Sequence, residues 1–243
     1  MKILILSDIH GNITALEAVL EDVAVECCES LILVGDIIDY GMHSNEVICR
    51  LLQLEDKMNV LCNIRGNHED SIIREDYSRF SFDRGKQSAQ HTRDLLNAIS
   101  WNYITHKMKA GGSEELEIDG KRIFVVHGDY QDNYWHSITP EVNPLNYCNY
   151  DFVISGHNHL PHFFEKFVDC ENKAYRNHKK ISFVNPGSVG QPRNHNPNAH
   201  YAIWDTNSDE VLLKRVEYDI TIEQNAFDGG VDSFYKERLE LGI

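Results

Sequence analysis

Five times along this chain a short apolar run breaks off into Asp, His or Asn. The clearest case is SLILVGDIIDYG, Ser30–Gly41. Leu31 to Val34 read as a buried strand, continuous and ended by Gly35. Asp36 and Asp39 stand at its mouth, with Gly41 to let the backbone turn. A carboxylate in that position is costly unless something cationic meets it. The other junctions are SDIHGN after Lys2–Leu6, RGNHE after Asn59–Ile64, HGD after Lys121–Val126 and GHNH after Phe152–Ser155.

Between these junctions the apolar pattern changes period. Asn12 is placed to cap a helix with Ala15, Leu16, Val19, Leu20 and Val23 on one face. Asn45–Leu54 repeats that pattern with Val47, Ile48, Leu51 and Leu52. Strand–helix–strand–helix–strand predicts a parallel sheet with ligands at the carboxyl ends of its strands. From about 70 to 100 the alternation gives way to a partly helical insert, helical over Ser88–Ile99. Leu116–Ile118, Asp119-Gly120 and Lys121–Val126 form a predicted hairpin. The remainder is mainly β, around His162–Val168, Lys180–Val184, Ala199–Asp205 and Val211–Tyr218. It is broken by the tight loop NPGSVGQPR, Asn185–Arg193, and followed by a partly helical Ile220–Leu241. No repeat, low-complexity tract or linker divides residues 1–243, which predicts one domain.

Composition narrows the partners. With 38 Asp and Glu against 23 Lys and Arg, the net charge is −15. That excess disfavours polymeric nucleic acid, whose affinity rests on a basic face, but not a small phosphorylated substrate, because bound metal makes a pocket locally positive. The six cysteines form no CxxC pair, which argues against a thiolate zinc site and predicts small buried hydrophobes in a reduced compartment. The apolar run of MKILILSDIHG is shorter than the ~7–15 residues of a signal core, and no run reaches the ~18 of a membrane span. A cytoplasmic location without membrane attachment is the expectation; oligomeric state stays open.

The polar groups at the strand ends are Asp8, His10, Asp36, Asn67, His127, His157 and His159. Asp8/His10 and His157/His159 are i, i+2 pairs, which in extended chain point the same way and suit two ligands on one ion. Carboxylate, imidazole and amide donors without thiolate favour Mn, Fe or Zn. Seven groups suit two ions that share a carboxylate, the clamp used for in-line displacement at phosphorus.

Taken together, SDIHGN, GDIIDYG, RGNHE, VVHGD and SGHNH, spanning residues 7 to 159, resemble the calcineurin-like metallophosphoesterase superfamily. NPGSVGQPR is similar to the loop of its small single-domain prokaryotic branch. The resemblance implies an α/β fold, a four-layer α-β-β-α sandwich of two mixed sheets flanked by helices. It implies two divalent transition-metal ions, manganese first with iron or zinc as alternatives. One would take Asp8, His10, Asp36 and His159, the other Asp36, Asn67, His127 and His157. The implied activity is hydrolysis of phosphate esters, whether small phosphodiesters, phosphomonoesters or nucleoside polyphosphates, by a metal-bridging hydroxide. His68 would be the catalytic acid, oriented by Asp39. Arg193 and Asn12 would contact substrate.

One departure bears on the substrate. The protein phosphatases of the superfamily carry Gly-Asp-x-x-Asp-Arg-Gly, whereas Tyr40 stands here in place of that Arg and cannot supply its bidentate fork. Phosphoprotein hydrolysis is therefore an alternative rather than the expectation, as is a non-catalytic binding module on the same scaffold. The aromatics of residues 130–150 and of the insert are read either as a base-stacking surface or as ordinary core.

Overall fold

The computed structural model describes residues 1–243. The first apolar runs do become a parallel sheet. Strands β1 (Lys2–Leu6), β2 (Ser30–Leu33) and β3 (Asn59–Asn63) pair side by side, with helices α1 (Ile13–Val23) and α2 (Ser44–Glu55) as crossovers. Asn12 caps α1 by accepting from the Ala15 N–H at 2.9 Å. Ala15, Leu16, Val19 and Val23 turn its apolar face onto the sheet.

The helices α3 (Asn67–Arg74), α4 (Asp83–Leu95) and α5 (Ala98–Asn102) follow, and α5 runs into a π-helical turn, Tyr103–Lys107. Two of these differ from expectation. The helix expected at Ser88–Ile99 begins five residues earlier, at Asp83, and breaks at Leu96, whose backbone is extended. Helix α3 was not expected at all. Its start is fixed by Glu69, which reaches back to the Gly66 N–H at 2.8 Å, the carboxylate half of a capping box.

The second half builds the other sheet. Strands β4 (Ser113–Ile118), β5 (Lys121–Val126), β6 (Phe152–Ser155), β7 (His162–Asp169) and β8 (His178–Asn185) arrange as β4-β5-β6-β8-β7. Strands β9 (Ala199–Asp205) and β10 (Glu210–Val216) return to the first sheet in the order β10-β9-β1-β2-β3. Both sheets are mixed: β5, β6 and β8 run parallel, and β9 is antiparallel to β1.

The sheets face each other across Ile3, Ile5, Ile32, Val34, Val125 and Ile154, with Trp204 against Phe152 at 4.4 Å. Removing one such buried side chain to Ala costs about 2–5 kcal/mol. The first sheet's outer face carries α1, α2 and the insert helices. The fourth layer, outside the second sheet, is thin: Ile138 and Tyr147 from a loop with one 3-10 turn, Pro144–Tyr147, pack on Phe124 and Phe183. The C-terminal helices α6 (Ile220–Ala226) and α7 (Phe234–Leu241) pack together near α1. Two mixed sheets with flanking helices are thus the architecture. The cysteine expectation is corrected, since only Cys62 is buried, Cys28 and Cys170 are half-buried, and Cys27, Cys49 and Cys148 are exposed.

Candidate metal centre

Every junction flagged in the sequence lies at the carboxyl end of a parallel strand, and the two sheets turn those ends toward one place. Asp8 and His10 follow β1, Asp36 and Asp39 follow β2, and Asn67 and His68 begin α3 just after β3. His127 follows β5, and His157 and His159 follow β6. The loops lie backbone against backbone. A Cβ on Gly66 would stand 2.1 Å from Asp36 Oδ1, and one on Gly41 2.5 Å from the His10 carbonyl oxygen. Gly41 therefore permits close approach rather than the turn expected of it.

The i, i+2 reading needs correction. Asp8, His10, Asp36, Asp39, Tyr40, His157 and His159 all have φ between 49° and 73°, left-handed backbone rather than extended chain. In this conformation a pair need not converge. Asp8 and His10 meet in one group with His159, but His157 joins Asp36 and His127 instead. Positive φ in non-glycine residues costs energy and persists where surrounding packing enforces it.

The histidines are oriented by main-chain carbonyls. Nδ1 of His10 donates to Ile38 at 3.1 Å, Nδ1 of His127 to Val34 at 2.8 Å, and Nδ1 of His159 to Gln191 at 2.5 Å. In each neutral ring the Nε2 lone pair is then turned inward. His10 Nε2 and His159 Nε2 face each other at 3.3 Å. Two lone pairs cannot hydrogen-bond, whereas two nitrogens each ~2.0–2.1 Å from one ion in tetrahedral geometry stand about that far apart.

The oxygens complete the picture. Asp8 Oδ1 is buried without a hydrogen-bond partner, 3.2 Å from His159 Nε2. Asp36 Oδ2 lies 3.1 Å from His127 Nε2, and Asn67 Oδ1 lies 3.0 Å from both His127 Nε2 and His157 Nδ1. No Lys or Arg pairs with either carboxylate. Buried carboxylates ringed by inward lone pairs fit bound cations, and these His/Asp clusters are consistent with a dimetal site.

Electrostatics follow from the crowding. Burial, and then the neighbouring Asp36 charge against partial relief from His127, lift Asp8 to about 6. Burial opposes ionisation of Asp36 too, but His127 and His68 hold its carboxyl well below the usual range. Burial disfavours protonating His10, His157 and His159, and lowers all three. It also opposes charge on His127, where in the metal-free protein the Asp36 carboxylate wins and raises the ring to about 9; a bound cation would displace that proton and leave the Nε2 lone pair to the metal.

His68 sits beside this centre and is held differently. Its main-chain N–H donates to Asp36 Oδ1 at 2.9 Å, and its Nδ1 meets Asp39 Oδ2 at 2.6 Å. Burial works against the charged ring, yet Asp36 and then Asp39 raise it above the ordinary imidazole value. Asp39 is fixed in turn, because its Oδ1 accepts from Tyr40 N at 2.7 Å, Ser88 Oγ at 2.5 Å and Thr92 Oγ1 at 3.0 Å. Ser88 and Thr92 belong to α4, so the insert braces the Asp39–His68 pair. Nothing in the sequence marks them beyond two hydroxyls one helical turn apart.

Glu69 is a third residue the sequence left without a role. It accepts from the N–H groups of Asp36, Ile37, Ile38 and Gly66 at 2.8–3.2 Å and so clamps the GDIID loop onto α3. The signal for it was the Glu closing RGNHE.

A cleft of about 400 Å³ opens over Asp36, Asn67, His68, His157 and His159. Arg193 lines it with its Nε buried and unpartnered. Asn12 does not line it. Its Oδ1 caps α1 and its Nδ2 donates to the Gly190 carbonyl and to Tyr218 Oη, both at 3.1 Å, so its expected substrate contact gives way to a structural one. The aromatics divide: Phe80, Phe82 and Trp135 line the cleft, whereas Tyr147 is core. Helix α7 adds Phe234, Tyr235 and Arg238, which no motif announced.

Comparison with known proteins agrees with this geometry. The chain is 28% identical over 252 residues to the uncharacterised protein MJ0912 of Methanocaldococcus jannaschii, covering 99% of this chain and 98% of that one. It is 25% identical over 213 residues to the phosphodiesterase YfcE of Escherichia coli K12, covering 84% and 88%. The crystal structure of a metallophosphoesterase from Sphaerobacter thermophilus superposes over all of both chains, with a TM-score of 0.77 at 28% identity. Residues 1–209 match the family model of the calcineurin-like phosphoesterase superfamily domain, and it is to this superfamily, among its small prokaryotic phosphoesterases, that the chain belongs.

Proposed function

We propose that this protein is a dimetal hydrolase of small phosphate esters, with phosphodiesters, phosphomonoesters and nucleoside polyphosphates as the candidate substrates. The observation that carries the reading is the set of three imidazoles whose Nδ1 atoms are tied to main-chain carbonyls while their Nε2 atoms converge on Asp8, Asp36 and Asn67. One ion would be held by Asp8, His10, Asp36 and His159, and the other by Asp36, Asn67, His127 and His157. Manganese suits the oxygen and imidazole donors, with iron or zinc as alternatives. When bound, such ions polarise phosphoryl oxygens and acidify water at neutral pH.

The chain's own residues supply the rest. Arg193 offers a guanidinium to a phosphoryl oxygen and holds the ester in the cleft. As a water oxygen bonds to phosphorus, the bond from phosphorus to the leaving oxygen breaks. His68 Nε2 delivers the proton that the leaving oxygen needs, while Asp39 keeps Nδ1 protonated and supports the charged ring. Trp135, Phe80 and Phe82 shed water from one wall. The net charge of −15 favours a small substrate over polymeric nucleic acid. No helix is long and apolar enough to cross a membrane; the cytoplasm is part of this proposal.

The test is a hydrolysis panel on metal-reconstituted protein, covering monoesters, diesters, dinucleoside polyphosphates and phosphopeptides, with metal content measured in parallel. Close to two ions per chain are expected, and Asp36→Asn should lose metal and activity together. An Asp36→Asn protein that keeps both ions and full turnover would refute the shared-carboxylate reading.

A further inference from the structure

An acidic chain has built a cationic cleft end. Arg84, Arg193 and Arg238 all line the cleft, whose only carboxylate is Asp36. None of the three pairs with an Asp or Glu side chain, whereas Arg50, Arg74, Arg79, Arg93 and Arg122 all do. Arg238 is only 6% exposed, and its Nε donates to the main-chain oxygen of Ile243. Burial and the nearby Arg193 and Arg84 charges push it down to about 10, against partial relief from Tyr40 and Tyr235. A buried guanidinium is costly unless an anion meets it, and the cleft that Arg238 lines gives an anion from outside a way in.

Aromatic rings fix where that anion would sit. Tyr40 lies between His68, at 4.5 Å, and Tyr235, at 4.3 Å. Phe234 is 5.5 Å beyond Tyr235. The Arg84 guanidinium carbon lies 3.9 Å from the Phe234 ring centre and 4.6 Å from that of Phe82, and that of Arg238 lies 5.2 Å from Phe234. Both guanidiniums thus rest on π-faces, which leave their N–H donors free apart from the Arg238 Nε that Ile243 takes. Both line the same cleft as His68, the residue that would pass its proton to the leaving oxygen.

We propose that Arg84 and Arg238 form a second anion subsite that binds a phosphate carried by the leaving group. The substrate is then a phosphate ester of an alcohol or nucleoside that itself bears another phosphate. This rests on the phosphoesterase reading for the scissile end, and it selects among the candidates named above. A phosphate suits the subsite better than a carboxylate, because its charge of about −1.5 to −2 balances two guanidiniums more nearly and it offers three acceptor oxygens. Helix α7, which brings Arg238, lies beyond the 1–209 match to the family model, so half of the subsite comes from outside the matched domain.

The test separates binding from turnover. Binding is measured by calorimetry on the metal-loaded protein with propylphosphonate and propane-1,3-diyl bisphosphonate, whose C–P bonds do not hydrolyse, and a hexane-1,6-diyl homologue to gauge span. Turnover is measured as kcat/KM on the corresponding phosphates. Wild type should prefer one of the two-headed ligands by about tenfold or more, in line with charge-assisted pairing, and more so at low salt. Arg84→Gln and Arg238→Gln should each erase most of that preference, while Arg176→Gln, an equal charge change at an exposed site, should retain it. Arg84 is only half-buried, so its variant stays informative if Arg238→Gln fails to fold. Equal affinity for one-headed and two-headed ligands in wild type, or a preference that survives both cleft substitutions, overturns the subsite. Preferential binding without hydrolysis of any phosphate upholds the subsite and overturns the phosphoesterase reading instead.

Discussion

Replacing Ser88 by Ala and Thr92 by Val deletes two of the four hydrogen bonds on the Asp39 carboxylate without touching a residue that lines the cleft. Both hydroxyls are buried and both donate to a group that carries charge when ionised. Such bonds contribute about 1.5–3 kcal/mol each. Tyr40 N and His68 Nδ1 remain, so the carboxylate is not stranded, and the pair act through one shared oxygen, which makes their effects less than additive. The double variant should therefore lose about 2–4 kcal/mol in urea unfolding, with either single change near half of that. The catalytic consequence is separate. Asp39 would hold the His68 ring less firmly, and general acid catalysis accounts for ~10²–10⁴-fold in rate. Loosening without deletion should lower kcat by about tenfold on an alkyl phosphate ester and by far less on a nitrophenyl ester, which departs without a proton. A double variant destabilised by less than about 1 kcal/mol would show that α4 does not brace Asp39. An equal loss on both esters would show that the brace serves something other than proton delivery.

His68→Ala should retain the metals but show the same ester selectivity much more strongly; kcat across esters graded by leaving-group pKa measures it, and a uniform loss would reassign His68 to positioning. Arg193→Ala should leave metal content unchanged and raise KM, lower kcat, or both, whereas unchanged kinetics on every substrate would return it to the surface. His200 is buried, and burial lowers it from the ordinary 6.5 to about 4. The unfolded chain then takes up a proton that the native state refuses, so stability falls as pH drops from about 6.5 to 4, by about 2–3 kcal/mol from this residue. His200→Gln should flatten that segment of a stability–pH curve, and a curve of unchanged slope would remove His200 as its source.

The parts of the site that were legible share one property: each is a local junction. An apolar run ending in Asp-x-His or Gly-Asp states both the strand and the polar group at its mouth, and parallel order then carries those mouths to one edge. Helix α3 escaped because its apolar stripe is short; what starts it is a Glu69 carboxylate reaching back to Gly66 and across to the GDIID loop. The i, i+2 reading failed for a related reason. It took the backbone after β1 and β6 to stay extended, and the close packing of neighbouring loops instead enforces positive φ.

Sequence alone determined the strand-end donors, the parallel β1-β2-β3 core and the residue types that suit two cations, because period and local chemistry are written residue by residue. The tertiary structure decided how those donors divide in space, since His157 and His159 are two residues apart in the chain yet join different His/Asp groups. It alone moved Asn12 from the cleft to a helix cap. It also set Ser88 and Thr92 beneath Asp39, and carried Arg84 and Arg238 to one ring of Phe234 from positions 154 residues apart. Contacts between side chains from different elements depend on how layers dock, and docking is settled by the summed fit of the whole core rather than by any one stretch.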